Sequence, residues 1–508
     1  MEIFYFMLAA LSPFNLFLAV LGVAAGIFIG ALPGLSATMA VAVLVPVTFG
    51  MPTEAALIML GAIYTGAIYG GSYAAILVNT PGTPSAIATT FDGYPMARRG
   101  DGDLAITLST LSSVVGGLVG VLALVTLAPL LAQIALKFGP VEYFWLAIFG
   151  LTLISALSAG STLKGFIGAG IGLLLSTVGV AVIGADIRYT FGSQFLLGGV
   201  EIISALIGLY CIPVLIDLVA TPSAHLQPPN EGRGIRFRES LGLMWRSKFN
   251  SLRSAVIGTI IAILPGAGGS IASLVSYSEA RRTSSRKEYF GQGEPDGVIA
   301  TESANNATVG GGFIPTFVLG IPGTPPDAVI LGALLVQGFR TGPEMFTTHA
   351  NVTYTFIGGL FIATLVMLPI GLLIGRYAFK SIVAIPKALL VPSIAFMTVI
   401  GTYAIRNNPF DVVVMVVLGV IGWVLARYDI KPSPIVLGLI LGPIAEQGFV
   451  QGYLMGNASG SVLMVFFGRP ISLAIIILVV ISALYPLWRM RSSRIAKPLK
   501  KREVQHEH

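Results

Sequence analysis

Charge is scarce in this chain. Only 10% of its 508 residues are Asp, Glu, Lys or Arg, and mean hydropathy is +0.86. That is less than half the charge usual in soluble domains. A soluble protein of this length could not cover its surface with so little. Cysteine is nearly absent as well: Cys211 stands alone in an apolar run, which excludes a disulfide framework and a Cys-based metal site. The four histidines, two of them in the last three residues, argue against a metal or haem redox core and form no H-E-x-x-H. A Gly-x-x-x-x-Gly-Lys-Ser/Thr loop is missing, so any ATPase would be a separate subunit. Met1 to Ser12 lacks a basic leader, and no cleavage is expected there.

What remains is hydrophobic: 55% of the residues are apolar, in long continuous runs. Such runs are unlike the ten-residue alternating segments of a β-barrel. The expected fold class is therefore an all-α polytopic membrane protein with about 11–14 transmembrane or re-entrant helices. The net charge of +7 sits in loops and a basic tail beside apolar spans. This is the positive-inside pattern, not a nucleic-acid surface, and it places the C-terminal tail in the cytoplasm.

One stretch occurs twice. Gly70-Gly71 and Pro81-Gly82-Thr83-Pro84 match Gly311-Gly312 and Pro322-Gly323-Thr324-Pro325. Upstream, Leu32-Pro33-Gly34 matches Leu264-Pro265-Gly266, with Thr38 and Ala40 falling where Ser270 and Ala272 fall. Two ordered matches per half read as an internal duplication. Each Pro-Gly-Thr-Pro ends an apolar run, since Pro removes a donor and restricts the residue before it. In hydrocarbon a broken helix survives only inside protein or along a polar cavity. Paired breaks in corresponding halves point to a transporter's binding site.

The expected organisation is a first repeat at 1–219, a polar cytoplasmic linker at 220–250, a second repeat at 251–488 and a basic tail at 489–508. The repeats are expected to be inverted, with substrate between them. The charged segment Glu279 to Asp296 has no counterpart in the first half. Gly66 with Gly70, Gly116 with Gly120 and Gly168 with Gly172 are spaced for close helix contact.

The motifs then resemble a known family. Gly30-Ala31-Leu32-Pro33-Gly34-Leu35-Ser36-Ala37-Thr38, Tyr69-Gly70-Gly71, Asn79-Thr80-Pro81-Gly82-Thr83-Pro84 and Phe91-Asp92-Gly93-Tyr94-Pro95 resemble the TctA family. These are the large transmembrane subunits of tripartite tricarboxylate transporters. Pro265-Gly266-Ala267-Gly268, Asn305-Asn306-Ala307, Leu319-Gly320-Ile321-Pro322-Gly323 and Gly332-Ala333-Leu334 are similar to its second-half motifs. The resemblance spans roughly residues 15–480. Many relatives read Gly-Ile-Pro-Gly-Ser at the second loop, whereas this chain continues Thr324-Pro325-Pro326-Asp327, a departure that bears on substrate.

The resemblance implies a non-enzymatic uptake system in the bacterial inner membrane that imports citrate or another organic acid. It implies Na⁺ or H⁺ as coupling ion, no other cofactor, a small TctB-like membrane subunit and a periplasmic TctC-like binding protein. The residues suit that chemistry. Expected substrate-binding residues are Asn79, Thr80, Pro81, Gly82, Thr83, Asn305, Asn306, Pro322, Gly323 and Thr324, which supply amides, hydroxyls and bare backbone. Candidate ion-binding residues are Gly34, Ser36, Thr38, Gly266, Gly268 and Ser270, near unwound carbonyls. Seven acids lie in or beside apolar runs: Asp92, Asp186, Glu201, Glu302, Asp327, Asp411 and Glu446. Intramembrane acids are functional candidates by default, though each also fits a span end. Asp327 and Glu302 rank first because they flank the repeated motif. The rival readings are the permease of an ATP-driven transporter and an intramembrane enzyme.

Overall fold

Several helices in this chain begin or end at residues whose local chemistry sets the boundary. In the computed structural model, which describes residues 2–157, 162–220, 234–375 and 385–495, a short helix α1 (Glu2–Ala9) leads into α2 (Pro13–Gly30). Ser12 caps α2 by accepting from the Asn15 N–H at 3.3 Å, and Pro13 occupies the first turn, where its missing donor costs nothing. Leu-Pro-Gly then breaks the chain, with Gly34 at φ +90°. Ser36 caps α3 (Ala37–Leu44) through Met39 N–H at 3.1 Å.

Helix α4 (Thr53–Val78) follows, then a six-residue 3₁₀ segment (Pro84–Thr89), α5 (Thr90–Met96) and the long α6 (Gly102–Ala135). Further along come α9 (Ile202–Ala220), α10 (Phe237–Arg246), α11 (Lys248–Ile263), α12 (Gly268–Thr283), α13 (Pro295–Leu319), α14 (Pro325–Val336), α15 (Ala350–Leu373), α16 (Lys387–Arg406) and α17 (Pro409–Arg427). These helices belong to one compact unit, Met1–Lys137 with Thr190–Arg427.

A second unit, Phe138–Tyr189 with Tyr428–His508, contains α7 (Pro140–Leu157), α8 (Thr162–Ser176), α18 (Pro432–Ser459), α19 (Val462–Phe467) and α20 (Pro470–Ile495). A two-residue antiparallel ribbon pairs Gly179 with Arg188 and Val180 with Ile187. Within this unit α18 packs against both α7 and α8. A Cβ on Gly172 would lie 1.9 Å from the Ile435 carbonyl oxygen, so that pair of backbones meets only because the residue is glycine.

Eight helices are long and apolar enough to cross a membrane, and five shorter apolar helices accompany them among the described residues. The all-α polytopic fold is thus as the sequence implies. The linker's Pro222, Pro228, Pro229 and Arg233, and the tail beyond residue 495, lie outside the described residues. The described end of the linker is not simply polar. Helix α10 buries Ser240 and Met244 and exposes Phe237, Leu241 and Trp245, four residues apart, with Phe249 continuing the row. An aromatic stripe flanked by Arg238, Arg246 and Lys248 suits a helix lying in the membrane interface.

The first unit is built around α4 and α13. Both are buried on nearly every side, which matches their all-round apolar and small-residue character. Helix α2 packs on α4, and α11 and α6 pack on α13, through glycines. Gly26 meets the Ile63 carbonyl, Gly66 that of Val23 and Gly70 that of Ile27. Gly116 and Gly120 of α6 meet the Ser303 and Ala307 carbonyls. The predicted small-residue faces are all helix contacts.

Candidate functional site

Each Pro-Gly-Thr-Pro lies at a real break. Helix α4 ends on Asn79, a non-glycine in the left-handed region at φ 54°, and α13 ends on Gly320 at φ 70°. After each break Thr83 and Thr324 are extended, and a new helical segment starts at Pro84 and Pro325. The loop glycines are wedged between backbones. A Cβ on Gly82 would lie 2.1 Å from Gly30 O and 2.9 Å from Gly71 Cα; one on Gly323 would lie 2.3 Å from Ala262 O and 2.8 Å from Gly312 Cα. Neither glycine has positive φ. Glycine is needed here for close packing of the loop against neighbouring backbone, and not for an unusual backbone angle.

The loops differ in what they hold. In the first, Thr83 and Ser85 hydroxyls are buried and 3.1 Å apart, while Asn79 and Pro84 are exposed and Thr80 and Pro81 half-buried. Gly82 N–H donates to Gly71 O at 3.2 Å. In the second, Pro322, Gly323 and Thr324 are all buried. Thr324 gives both its N–H, at 2.7 Å, and its hydroxyl, at 2.6 Å, to Asp327 Oδ2. Since that hydroxyl has one proton, Tyr64 donates to Thr324 Oγ1 at 2.8 Å. The second loop thereby fills the positive start of α14 with its own carboxylate.

Between the first loop and α12 lies a group with no partner. Asn305 is fully buried, and neither its Nδ2 nor its Oδ1 makes a hydrogen bond. A Cβ on Gly269 would fall 2.7 Å from Asn305 Oδ1, 2.9 Å from Ser85 Cβ and 3.5 Å from Thr308 Oγ1, so these four residues form one cluster. A buried amide left empty costs about 1–3 kcal/mol, and such a cost is retained where a ligand later supplies the bonds. Ser85, Gly269 and Thr308 were not singled out from the sequence; the Gly268-Gly269 doublet was the available signal.

The other predicted residues separate. Asn306 points its Nδ2 to Ser113 Oγ at 2.7 Å, and its Oδ1 is unpartnered. Gly266, at φ 84°, donates its N–H to Gly323 O at 3.0 Å and so touches the second loop. Gly268 has φ 62°, and Ser270 is half-buried beside the Asn305 cluster's Gly269. On the first half, Gly34 is exposed, Ser36 spends its hydroxyl on the α3 cap and Thr38 is buried within α3. The packing crosses over: α12 lies on the 3₁₀ segment after the first loop, and α14 lies on α3.

Five of the seven acids have ordinary roles. Asp92 Oδ1 accepts from the N–H groups of Gly291, Gly293 and Glu294, each at 2.8 Å, and Arg99 donates to Gly293 O at 2.8 Å. The charged segment 279–296 is thus pinned to α5. Its Glu294 carboxyl is pushed up by burial, with Arg286 opposing at 2.8 Å. Glu201 caps α9 through Ile203 N–H at 2.9 Å, Asp411 pairs with Arg406 at 2.7 Å and Glu446 with Arg188 at 2.8 Å. Asp186 is exposed. Glu302 and Asp327 remain, fully buried and, among the described residues, without a basic partner.

Apolar helices broken at two matching motifs, with a buried and unsatisfied amide beside one of them, are the kind of architecture that membrane transporters use. Comparison with known proteins agrees. The family described as "Tripartite tricarboxylate transporter TctA family" matches residues 16–437, and the chain belongs to it. An Agrobacterium vitis protein named "Uncharacterized 52.8 kDa protein in TAR-I ttuC' 3'region" is 36% identical over 497 residues, covering 96% of each chain. A second from that organism, "Uncharacterized protein in TAR-II ttuC' 3'region", is 35% identical over 242 residues, 47% of this chain and 98% of its own. No solved structure matches.

Proposed function

We propose that this chain is the large membrane subunit of an importer that carries organic acids of the citrate class across the bacterial inner membrane. A cation gradient drives it. A periplasmic binding protein delivers the substrate, and a small membrane subunit completes the assembly. The supporting observation is the Asn305 cluster. A substrate carboxylate placed there would accept from the Asn305 amide, which makes no other hydrogen bond, and from whichever of the paired Thr83 and Ser85 hydroxyls has its proton to spare; Thr308 gives its own to the Asn305 carbonyl and only lines the cluster. Among the described residues the cluster contains no acid, whereas the second loop already holds Asp327. The first loop is therefore the anion loop in this proposal, and the second shapes the site from the opposite half.

The halves 1–219 and 251–488 are duplicates in this reading, inverted about an axis in the membrane plane. Their contacts support the duplication. The alignment pairs Gly82 with Gly323 and Gly30 with Ala262, and those are the residues that touch. It also pairs Gly26 with Gly258 and Ile63 with Ala304, which touch likewise, and Tyr64 with Asn305. Tyr64 reaches the second loop's Thr324, and Asn305 lies beside the first loop's Ser85.

Citrate counterflow in proteoliposomes holding the complete transporter tests the assignment. Wild type is expected to exchange labelled for unlabelled citrate without ATP. Exchange that requires ATP would overturn it.

A further inference from the structure

Glu302 has no structural task that a neutral residue could not perform. It lies in the middle of α13, fully buried. Thr89 donates its hydroxyl to Oε1, and Ser113 donates to Oε2 at 3.1 Å. Asn306 completes the group through Ser113, and its Oδ1 is buried and unpartnered. The surrounding elements offer little charge: Thr89 from the 3₁₀ segment, Ser109 and Ser113 from α6, Thr301 from α13 itself, and Tyr69 from α4, whose hydroxyl is engaged with Thr110. On α11, Ser251 bonds Ser303, the residue after Glu302. Tyr277 of α12 and Asp92 of α5 face each other at the end of α13. No Lys, Arg or His reaches the carboxylate among the described residues.

Its position matters because of what lies next to it. Glu302 is three residues from Asn305 on the same helix, one turn away, so the two side chains start about 5–6 Å apart. Thr89 is four residues beyond Ser85 on the segment that follows the first loop. An anion bound between Asn305 and Ser85 would therefore sit beside a second buried negative charge. At ~6 Å and an effective dielectric near 20, that repulsion weakens binding on the order of 100-fold.

We infer that Glu302 is the coupling site: it takes up a monovalent cation, a proton or Na⁺, and only then does the neighbouring cluster accept a carboxylate. A proton would reside on a carboxylate oxygen. Na⁺ would take oxygens of Glu302, Thr89, Ser113 and Asn306, the last of which has an oxygen to spare. This rests on the carboxylate-transport reading above and extends it to the residue that enforces symport.

The test uses the complete transporter in proteoliposomes with labelled citrate, comparing wild type, Glu302→Gln and Glu302→Asp under an imposed pH gradient and, separately, an imposed Na⁺ gradient. Whichever gradient drives wild-type accumulation names the cation. Glu302→Gln keeps the side chain's shape and one acceptor without its charge. It is expected to retain citrate counterflow while losing gradient-driven accumulation by about 100-fold. Glu302→Asp is expected to restore coupling in part. Accumulation by Glu302→Gln at the wild-type level would overturn the inference. So would equal loss of counterflow and accumulation with no rescue by Asp, since that pattern marks a purely structural role. Wild-type vesicles that neither exchange nor accumulate citrate or other organic acids would instead overturn the transport reading on which this rests.

Discussion

Asn305 offers a test in which stability and function move in opposite directions. Its side chain fills space in a closed core but makes no hydrogen bond through either polar atom. Replacing it with Leu, which has the same branching and the same number of heavy atoms, removes two unpartnered polar atoms and adds apolar contact. Each buried unsatisfied group costs about 1–3 kcal/mol, so the empty Asn305→Leu protein should be as stable as wild type or more so. The same change deletes the amide proposed to hold the substrate. Losing one hydrogen bond to a charged group costs about 1.5–3 kcal/mol, roughly ten- to a hundred-fold in affinity. The assay is thermal unfolding of detergent-purified protein without substrate, alongside citrate counterflow at low concentration. An unfolding temperature equal to or above wild type, with exchange reduced at least tenfold, is the expected pair. A protein that melts several degrees lower and exchanges citrate normally would refute the reasoning, because Asn305 would then be a structural residue with partners the argument denies it. This is the stability–activity trade-off typical of binding sites.

Gly82→Val and Gly323→Val should each cost about 1–3 kcal/mol or more, because even the first carbon would collide with a backbone oxygen; both should lower the unfolding temperature and abolish uptake, and a variant that does neither would contradict the packing. Asp92→Ala leaves three inward N–H groups of segment 291–294 without their acceptor; limited proteolysis should cut that segment faster than in wild type, and an unchanged rate would refute the clamp. If both basic flanks face the cytoplasm, as proposed from their charge, cysteines at Gly234 and Ser493 in a Cys211→Ser background should resist an impermeant thiol reagent applied to spheroplasts; labelling from outside would reverse the orientation.

The helices were legible because the signals that make them are local. Composition, run length and the Leu-Pro-Gly and Pro-Gly-Thr-Pro breaks act within a few residues, and α2, α4 and α13 stop where those breaks fall. The roles of single residues were less so. Asn79, expected to touch substrate, is an exposed left-handed cap, and Asn305 and Asn306, adjacent in sequence, face different surroundings. Helical geometry turns neighbours by about 100°, so such a pair cannot share one site by side-chain direction alone. Ser85, Gly269 and Thr308 were missed because the Asn305 cluster is assembled from three separate elements. The acids show the same limit: in sequence all seven lie in or beside apolar runs, with Asp327 and Glu302 set apart only by flanking the repeated motif, and their partners are what separate Asp92, Glu201, Asp411 and Glu446 from those two.

The central claim is that an anion sits where the first loop meets Asn305. A structure of the transporter with citrate bound tests it most directly. The expected result is a citrate carboxylate within hydrogen-bond distance of the Asn305 amide and the Thr83 or Ser85 hydroxyl. Citrate held elsewhere, with the Asn305 amide still empty or the second loop making every contact, would contradict the account.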